Sequence, residues 1–425
     1  MYIDYEKISE KFGFGKDFFY ELKVKQNLDY IKKNRKRVLK KLKNKTPLNV
    51  IFYVYDETKW KSQSVYDLME KDERFNPKII VTKNCCEIKG NPNNQTIEDV
   101  KRCYKFFKSK GMNVEYGYDI EKDDFIPFEN FTPESFTPEK FTPDIIFYSH
   151  PWYVHKTQGP VICSKFALTF YIPYFLPASE QWHEYDLRFH KYIFRHYVPT
   201  DLTKDFYTKN MTHNSESIKV VGHPILDEYL IEDKISTPKY LIYAPHWTVC
   251  GDNLRFGTFD WSGNKLLEFA KSHPELNWVF RPHPLMYKFI LSSGFMTKEE
   301  VDNYFNEWKK FAIFSEEGNY IDLFKQSYAM ITDCGSFLTE YFVSGKPVIH
   351  LLSEKFTPNT LTNEIEKTYY STHNIEELNK NLEDVILNKN DYKKNSRIEL
   401  AEKLKLKNNY AAKNIIDDVI NSINN

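Results

Sequence analysis

The sequence lacks long hydrophobic runs and cysteines at CxxC spacing. No apolar run among its 425 residues approaches the roughly 20 residues that a membrane-spanning helix needs. The six cysteines form no CxxC pair and no metal-ligand spacing, which predicts reduced thiols, no disulfide framework and no zinc site. Because residues 1–6 also lack the basic and then apolar order of a signal peptide, we expect a cytoplasmic protein.

Two motifs that commonly handle nucleotides are missing as well. The sequence contains no GxxxxGK[ST] loop and no DxD pair of acids. Neither a bound metal nor another obligatory cofactor is therefore implied. Any phosphate would have to be held by positive side chains and by helix N-termini, where backbone N–H groups favour negative charge.

Charge is balanced overall but unevenly distributed. Lys and Arg together number 59, as do Asp and Glu, yet the segment from Lys23 to Lys45 carries eleven basic residues and one acid, Asp29. This composition predicts a basic helix. The helix would either be attracted to an anionic membrane surface or polyanionic acceptor, or be an ordinary solvated helix. No recognised nucleic-acid motif accompanies the charge, so nucleic acid is not an expected partner.

Short apolar runs alternate with amphipathic segments, which is the pattern of βα units in a parallel sheet. The length of the chain favours two domains. We therefore predict an α/β fold with two Rossmann-like domains facing each other across a cleft. Its predicted parts are a basic helical segment (1–46), an N-terminal Rossmann-like domain (47–231) with an exposed proline-rich repeat (131–144), a linker near 231–238, a C-terminal Rossmann-like domain (239–390) and a C-terminal helix (391–425).

The predicted elements follow this alternation. In the first domain, strands are expected at 49–55, 78–81, 113–118, 144–148, 168–172 and 218–221, and helices at 64–71 and 97–110. Aromatic spacing predicts a further packed helix over 186–196. In the second domain, strands are expected at 240–244, 277–280, 312–314, 329–332 and 347–352, and helices at 264–272, 287–293, 298–311, 321–326 and 337–343.

Two predicted strands of the second domain end in residues suited to holding phosphate. Arg281 and His283 follow one of them, and a small-residue turn with Gly335 and Ser336 opens the helix after the other. Ligands of open α/β sheets bind beyond the carboxyl ends of the strands. The two strand ends together predict a site for a nucleotide diphosphate. For His283, a purely structural role at the strand end stays open.

An ordered set of motifs resembles one enzyme family. The motifs are Tyr243-Ala244-Pro245-His246-Trp247, Arg281-Pro282-His283-Pro284, Thr332-Asp333-Cys334-Gly335-Ser336, Glu340-Tyr341 and Lys346-Pro347. In order and spacing they resemble the C-terminal domain of the CDP-glycerol glycerophosphotransferase family, enzymes of teichoic-acid and capsule synthesis. The resemblance covers roughly residues 239 to 355, with a weaker match at 221–227. It implies a GT-B-like fold and a CDP-linked donor as substrate.

The resemblance also implies which residues bind the donor, namely His246, Thr248, Arg281, His283, Asp333, Gly335, Ser336 and Glu340. Arg281 and His283, with the helix N-terminus, would hold the two phosphates and stabilise the departing CMP. Glu340 would take the ribose hydroxyls, and the loop that contains Thr248 would line the cleft. For Asp333, the alternative is a turn-forming acid that bonds to nearby backbone.

The acceptor side needs a general base, and a pKa near neutrality favours histidine. The resembled family places its base in a Trp-His-Gly segment, and Trp182-His183 keeps this pair without the glycine. His183 is therefore the first candidate for the catalytic base. His150 is the second, because it directly follows the strand predicted at 144–148. His190 and His196 are expected to be packing residues of the predicted helix.

These inferences predict a transferase that moves a polyol phosphate, glycerol phosphate in the first place, from a CDP-activated donor. The acceptor would be a hydroxyl of a capsular or cell-surface polysaccharide or glycolipid. The protein would work in the cytoplasm, at the inner face of the cell membrane if residues 23–45 bind lipid. Three alternatives stay open, which are a nucleotide-sugar glycosyltransferase, an ATP-dependent ligase or kinase-like enzyme, and a non-catalytic assembly scaffold.

Overall fold

The computed structural model describes most of the chain, over residues 16–86, 94–130, 142–230, 237–249, 256–315, 320–404, 406 and 410–425. Most of the predicted proline-rich repeat (131–144) and of the predicted linker (231–238) lies outside these residues.

A seven-stranded sheet forms the centre of the first domain. Its strands are β1 (Leu48–Val54), β2 (Phe75–Val81), β3 (Val114–Tyr116), β6 (Ile145–Tyr148), β7 (Leu168–Tyr171), β8 (Arg195–Val198) and β9 (Ile218–Val220), while β4 (Tyr118–Asp119) and β5 (Asp124–Phe125) form a separate ribbon. The order across the sheet is β3-β2-β1-β6-β7-β8-β9, and every pair is parallel. The central strands β1 and β6 are buried almost throughout, which explains their nearly unbroken apolar sequences.

Helices cover both faces of this sheet. They are α1 (Lys16–Leu42), α2 (Gln63–Glu70), α3 (Ile97–Ser109), α4 (Pro160–Cys163), α5 (Arg188–Tyr192), α6 (Asp201–Asn210) and α7 (Pro224–Asp227). The basic helix α1 packs through a narrow apolar stripe that includes Val24, Ile31 and Val38. Helix α3 begins with a capping box in which Thr96 and Asp99 satisfy each other's backbone N–H groups.

The second domain repeats the plan with a six-stranded parallel sheet. Its strands are β10 (Tyr240–Ala244), β11 (Trp278–Phe280), β12 (Ile313–Phe314), β13 (Ser327–Thr332), β14 (Val348–Leu351) and β15 (Tyr370–Thr372), in the order β12-β11-β10-β13-β14-β15. Its helices are α8 (Phe259–Ser272), α9 (Met286–Ser293), α10 (Lys298–Lys309), α11 (Tyr320–Gln326), α12 (Gly335–Phe342), α13 (Thr360–Glu366), α14 (Ile375–Asn381), continued by a π-helical turn (Leu382–Leu387), and α15 (Lys394–Lys403).

The last helix, α16 (Ala411–Asn424), returns to the first domain. Its first backbone N–H groups, those of Ala411 and Ala412, each donate to the Asp227 carboxylate at 2.8 Å. Ile415 and Val419 are fully buried in the same core as β1. The segment predicted as one C-terminal piece (391–425) is thus divided, because α15 packs on the second domain and α16 on the first.

The two parallel sheets confirm the α/β prediction with two Rossmann-like domains. None of the described helices combines the length and apolar composition that crossing a membrane requires. The helix predicted over 186–196 is wrong in its second half, since His196 lies on β8 and pairs with Tyr171 of β7. Tertiary pairing between two neighbouring strands overrides the local aromatic spacing there.

Candidate functional site

Loops at the carboxyl ends of both sheets meet between the two domains. The Lys61 ammonium, on the loop after β1, lies 4.5 Å from the ring centroid of Tyr320 in the second domain. The loop after β7 also reaches across, where Ser179 and Pro358 form an isolated antiparallel bridge. Parallel α/β sheets bind ligands beyond these strand ends. This junction, called the cleft below, is the candidate site.

Asp333, at the end of β13, organises the loops around it. Its Oδ1 atom accepts the backbone N–H of His246 at 2.6 Å, and its Oδ2 atom accepts the backbone N–H and the hydroxyl of Thr258 at 2.8 and 2.9 Å. Burial raises the pKa of Asp333 to about 6, against the lowering effect of these hydrogen bonds. Both oxygens thus accept hydrogen bonds inside the domain, where Asp333 positions His246. Its predicted contact with the donor stays a prediction.

Thr248 is also directed inward. Its side chain is fully buried, and its Oγ1 atom contacts Nδ1 of His246 at 2.8 Å and accepts the backbone N–H of Gly257 at 2.9 Å. Only glycine fits at 257, because a Cβ there would stand 1.9 Å from the carbonyl oxygen of Thr248. The hydroxyl of Thr248 thus helps to fix His246. That Thr248 lines the cleft stays a prediction.

Arg281 lies at the carboxyl end of β11. Its Nη1 atom donates to Oγ of Ser315 at 2.6 Å, and its guanidinium carbon lies 5.1 Å from the ring centroid of Tyr320. Burial lowers the pKa of Arg281, while Tyr320, Cys334 and Glu340 oppose this shift. The guanidinium is therefore held near the start of α12 by a neutral hydroxyl and an aromatic ring.

His283, two residues further, carries its proton in a defined place. Its Nδ1 atom accepts the backbone N–H of Leu285 at 3.1 Å, so a neutral imidazole holds its proton on Nε2. Burial, and secondly the charge of Lys59, lower the pKa of His283 to about 3. A neutral Nε2–H is thus the group with which His283 would donate to a phosphate oxygen. Its ring lies 5.5 Å from that of His246.

The start of α12 is tightly covered. A Cβ at Gly335 would lie 2.6 Å from the ring of Phe256 and 3.3 Å from the Cβ atom of Ala178, which belongs to the first domain. Glycine is therefore favoured mainly by the ring of Phe256 in the same domain, and secondly by the approach of Ala178 from the first domain. Ser336, the next residue, is half-buried.

Glu340 lies one turn further along α12 and is almost fully buried. The Tyr320 hydroxyl donates to its Oε2 atom. Burial raises the pKa of Glu340 to about 7, and the charge of Lys61 opposes the shift. Its predicted contact with ribose stays a prediction.

On the first-domain side, His150 follows β6. The imidazole is fully buried between two tyrosine rings, with centroid distances of 4.1 Å to Tyr55 and 4.7 Å to Tyr174. Its Nδ1 atom contacts Oγ of Ser149 at 2.7 Å, and its Nε2 atom has no hydrogen-bond partner within the described part of the chain. Burial, and secondly the charge of Lys59, lower its pKa well below the ordinary value.

His183 lies in a different part of the cleft region. It stands half-buried in a short 3-10 turn, Trp182–Glu184, with its ring centroid 6.2 Å from that of Trp152. Burial alone lowers its pKa. Unlike His150, it shows no electrostatic contact with Lys59.

Sequence reasoning missed Asp56 and Lys59, which lie just after β1. Lys59 pairs with Asp56 at 3.2 Å, and its charge acts on His150 in the first domain and on His283 in the second. The available signal was a charged run, Asp56-Glu57-Thr58-Lys59, directly after a buried strand. The structure thus brings His150, Arg281 and His283 to one junction. No cluster of His, Cys, Asp or Glu with metal-binding geometry occurs among the described residues.

A buried acid beside His183 yields a pH prediction. The Ser179 hydroxyl donates to Oε1 of Glu184 at 3.1 Å, and burial raises the pKa of Glu184 to about 8. The folded state therefore holds this proton more tightly than the unfolded state, and the stability it contributes is lost as pH rises from 4.5 to 8. We expect the Glu184→Gln variant to gain up to about 5 kcal/mol relative to the wild type across that window.

Thermal unfolding at half-unit pH steps measures this difference. Glu180→Gln, an exposed neighbour on the same loop, serves as the control and should follow the wild type at every pH. Parallel curves for the Glu184→Gln variant and the wild type would show that folding does not raise the pKa of Glu184.

Comparison with known proteins shows that this chain shares its fold with solved structures. No protein-family model and no curated protein matches the sequence. The S. aureus MnaA–UDP co-structure has a TM-score of 0.55 at 12% identity, covering 89% of this chain and 97% of that chain. The wall teichoic acid polymerase TagF, in a variant soaked with CDPG, has a TM-score of 0.55 at 14% identity, covering 96% and 97%.

A third solved structure, UDP-GlcNAc 2-epimerase from Neisseria meningitidis bound to UDP-GlcNAc, has a TM-score of 0.52 at 14% identity, covering 88% of this chain and 100% of that chain. At these identities the likeness shows the architecture, which is the two-domain GT-B fold. The fold that the resemblance implied is thus confirmed.

Proposed function

We propose that the protein is a GT-B transferase that moves a polyol phosphate, glycerol phosphate in the first place, from a CDP-activated donor to a hydroxyl of a capsular or cell-surface polysaccharide or glycolipid. The observation that carries this proposal is that Lys59 acts electrostatically on His150 of the first domain and on His283 of the second, while Lys61 and Arg281 share the ring of Tyr320. A histidine with an unpartnered ring nitrogen and two residues able to bind phosphate thus lie around one junction, as transfer between two bound substrates requires.

In the proposed reaction, Arg281 and the Nε2–H of His283 hold the donor diphosphate. The acceptor oxygen attacks the phosphorus that carries the polyol, a P–O bond to the acceptor forms, and the P–O bond to CMP breaks. Charge on the departing CMP is stabilised by the same Arg281. The acceptor's proton passes to a base, for which we propose Nε2 of His150. His183 is the other candidate.

A UDP-sugar reaction is the second candidate function. The chain is about as similar in fold to the UDP-GlcNAc 2-epimerase of N. meningitidis as to TagF. The same diphosphate-binding residues would serve a UDP-linked sugar, with reaction at carbon instead of phosphorus. The choice between the two candidate functions therefore depends on the base and on the group attached to the diphosphate.

A ligand screen tests the proposal directly. CDP-glycerol, CDP-ribitol, UDP-GlcNAc and ATP are compared by thermal shift and calorimetry, because a ligand at 100 times its dissociation constant adds roughly 2.7 kcal/mol of stability. CDP-glycerol is expected to stabilise the protein most. Binding of UDP-GlcNAc without CDP-glycerol would support the second candidate, and stabilisation by ATP alone would favour a ligase or kinase-like enzyme.

Membrane contact through α1 forms part of the proposal for where the protein works. The apolar stripe of the helix is buried, and its outer face carries exposed basic residues, namely Lys25, Lys32, Lys33, Lys36, Arg37, Lys40 and Lys41. Each basic residue near an anionic surface contributes about 1 kcal/mol. Such a face would keep a cytoplasmic enzyme at the inner side of the cell membrane, beside a lipid-linked acceptor.

Vesicle sedimentation checks this expectation. A variant with Lys32, Lys36 and Lys40 replaced by Glu should bind phosphatidylglycerol vesicles at least about 100-fold more weakly than the wild type does. Added salt should weaken wild-type binding. The control replaces Lys105, Lys108 and Lys110, exposed residues at the end of α3, with Glu. Equal binding by both triple variants would leave α1 as a solvated helix.

A further inference from the structure

The loop after β1 holds two lysines at a fixed place between the domains. Between them, Trp60 packs on Phe52 and Phe107, with ring centroids 5.6 and 5.2 Å apart, and its Nε1–H donates to Gln63 at 2.9 Å. Asp56 caps the short turn before it by accepting the N–H of Thr58 at 3.0 Å. The loop is thus anchored by Asp56 before the two lysines, Lys59 and Lys61, and by Trp60 between them.

Lys61 crosses to the second domain. Its ammonium and the guanidinium of Arg281 both lie over the ring of Tyr320, at 4.5 and 5.1 Å from the centroid. Neither cation forms an ion pair with a carboxylate of the described residues. The nearest acid in this group, Glu340, is bonded to the Tyr320 hydroxyl. Two like charges are therefore gathered at one aromatic ring.

Lys59 faces the other side of the same junction. It pairs with Asp56 at 3.2 Å and lies 5.2 Å from the ring centroid of Tyr174. Its charge acts on His150 and on His283, which belong to different domains. Lys59 is therefore within electrostatic reach of both proposed reaction partners.

Carboxylates neutralise the cations of the junction only in part. Asp56 pairs with Lys59, while Glu340 and Glu228 act on Lys61 without forming an ion pair with it. Burial raises the pKa of Glu340 to about 7, so that this acid is only partly ionised at neutral pH. Burying like charges together is costly unless an anion lies between them. A diphosphate carries that charge, and Arg281 is already proposed to bind it.

We propose that Lys59 and Lys61 form the first-domain half of the donor-phosphate site, binding the diphosphate oxygens opposite Arg281 and His283. This inference rests on the proposed function, since the ligand is the nucleotide diphosphate donor. It adds that the donor is held by residues of both domains.

Calorimetry on single variants tests the site. Lys59→Met and Lys61→Met keep most of the side-chain stem while removing the charge, and each should raise the dissociation constant of the donor about tenfold or more. The matched control is Lys71→Met, which makes the same change at the exposed far end of α2. Circular dichroism and thermal unfolding establish that all three variants fold.

The probe is whichever of CDP-glycerol and UDP-GlcNAc the wild-type protein binds, with cytidine or uridine in parallel. The nucleoside, which lacks phosphate, should bind the wild type and the lysine variants equally. Donor affinities of Lys59→Met and Lys61→Met equal to that of Lys71→Met would overturn the two-domain site while leaving the proposed function intact. A wild-type protein that binds neither donor would overturn both.

Discussion

The His150→Ala variant is expected to turn over donor about 10²–10⁴-fold more slowly than wild type, which is the usual contribution of a general base. The physical reason is the position of the imidazole. It is buried at the junction, its Nδ1 atom is bonded to Ser149, and its Nε2 atom is left to accept a proton. Donor affinity should change little, because the phosphates are assigned to residues of other loops.

Two further variants make this measurement decisive. Alanine leaves a gap between Tyr55 and Tyr174, so His150→Asn, which keeps a polar side chain of similar width, shows whether lost packing explains the effect. His183→Ala removes the other candidate base. CMP release with a polysaccharide acceptor present is the readout for both. Normal turnover in the His150 variants, with a large loss in His183→Ala, would assign the base to His183.

The Arg397→Met variant is expected to lose about 3 kcal/mol of stability, because it breaks a buried charged network. Arg397, on α15, is fully buried and donates to the carbonyl oxygens of Gly345 and Thr368 at 3.1 and 3.0 Å. It also pairs with the Asp391 carboxylate at 2.5 Å. Methionine fills part of the space but leaves these three acceptors without their donor.

Urea unfolding monitored by tryptophan fluorescence measures the loss. The control is Lys394→Met, an exposed residue on the same helix, which should stay within about 0.5 kcal/mol of wild type. Nucleotide binding by the folded Arg397→Met protein should be unchanged, since Arg397 lies on α15, away from the loops of the cleft. Equal unfolding midpoints for the two variants would show that water replaces the lost donor without cost.

Strands that are buried on both faces could be predicted from the sequence almost to the residue. The run at 240–244 coincides with β10, and the run at 329–332 falls within β13, because parallel strands covered by helices are apolar nearly throughout. The residues that follow them, such as Arg281 and His283, could be placed at strand ends for the same reason. Local sequence was sufficient wherever burial alone decided the structure.

Features that depend on contacts between distant segments could not be predicted in this way. His196 lies on a strand because β7 and β9 pair with β8, although its neighbours have helical spacing. Thr248 turns inward because Gly257 approaches it closely. The role proposed for Lys59 and Lys61 depends on the residues of the second domain that lie against their loop. The sequence of a charged loop does not indicate which surface it contacts.

The return of α16 to the first domain has a consequence for how this protein is made. On the ribosome, the seven strands of that domain emerge early, yet the helix that supplies Ile415 and Val419 to their core follows the whole second domain in chain order. The first domain therefore has to wait, with part of its apolar interior uncovered, until the second domain has been translated. A chain that ended just after Leu406 would contain the core of the second domain but would leave the first domain without α16.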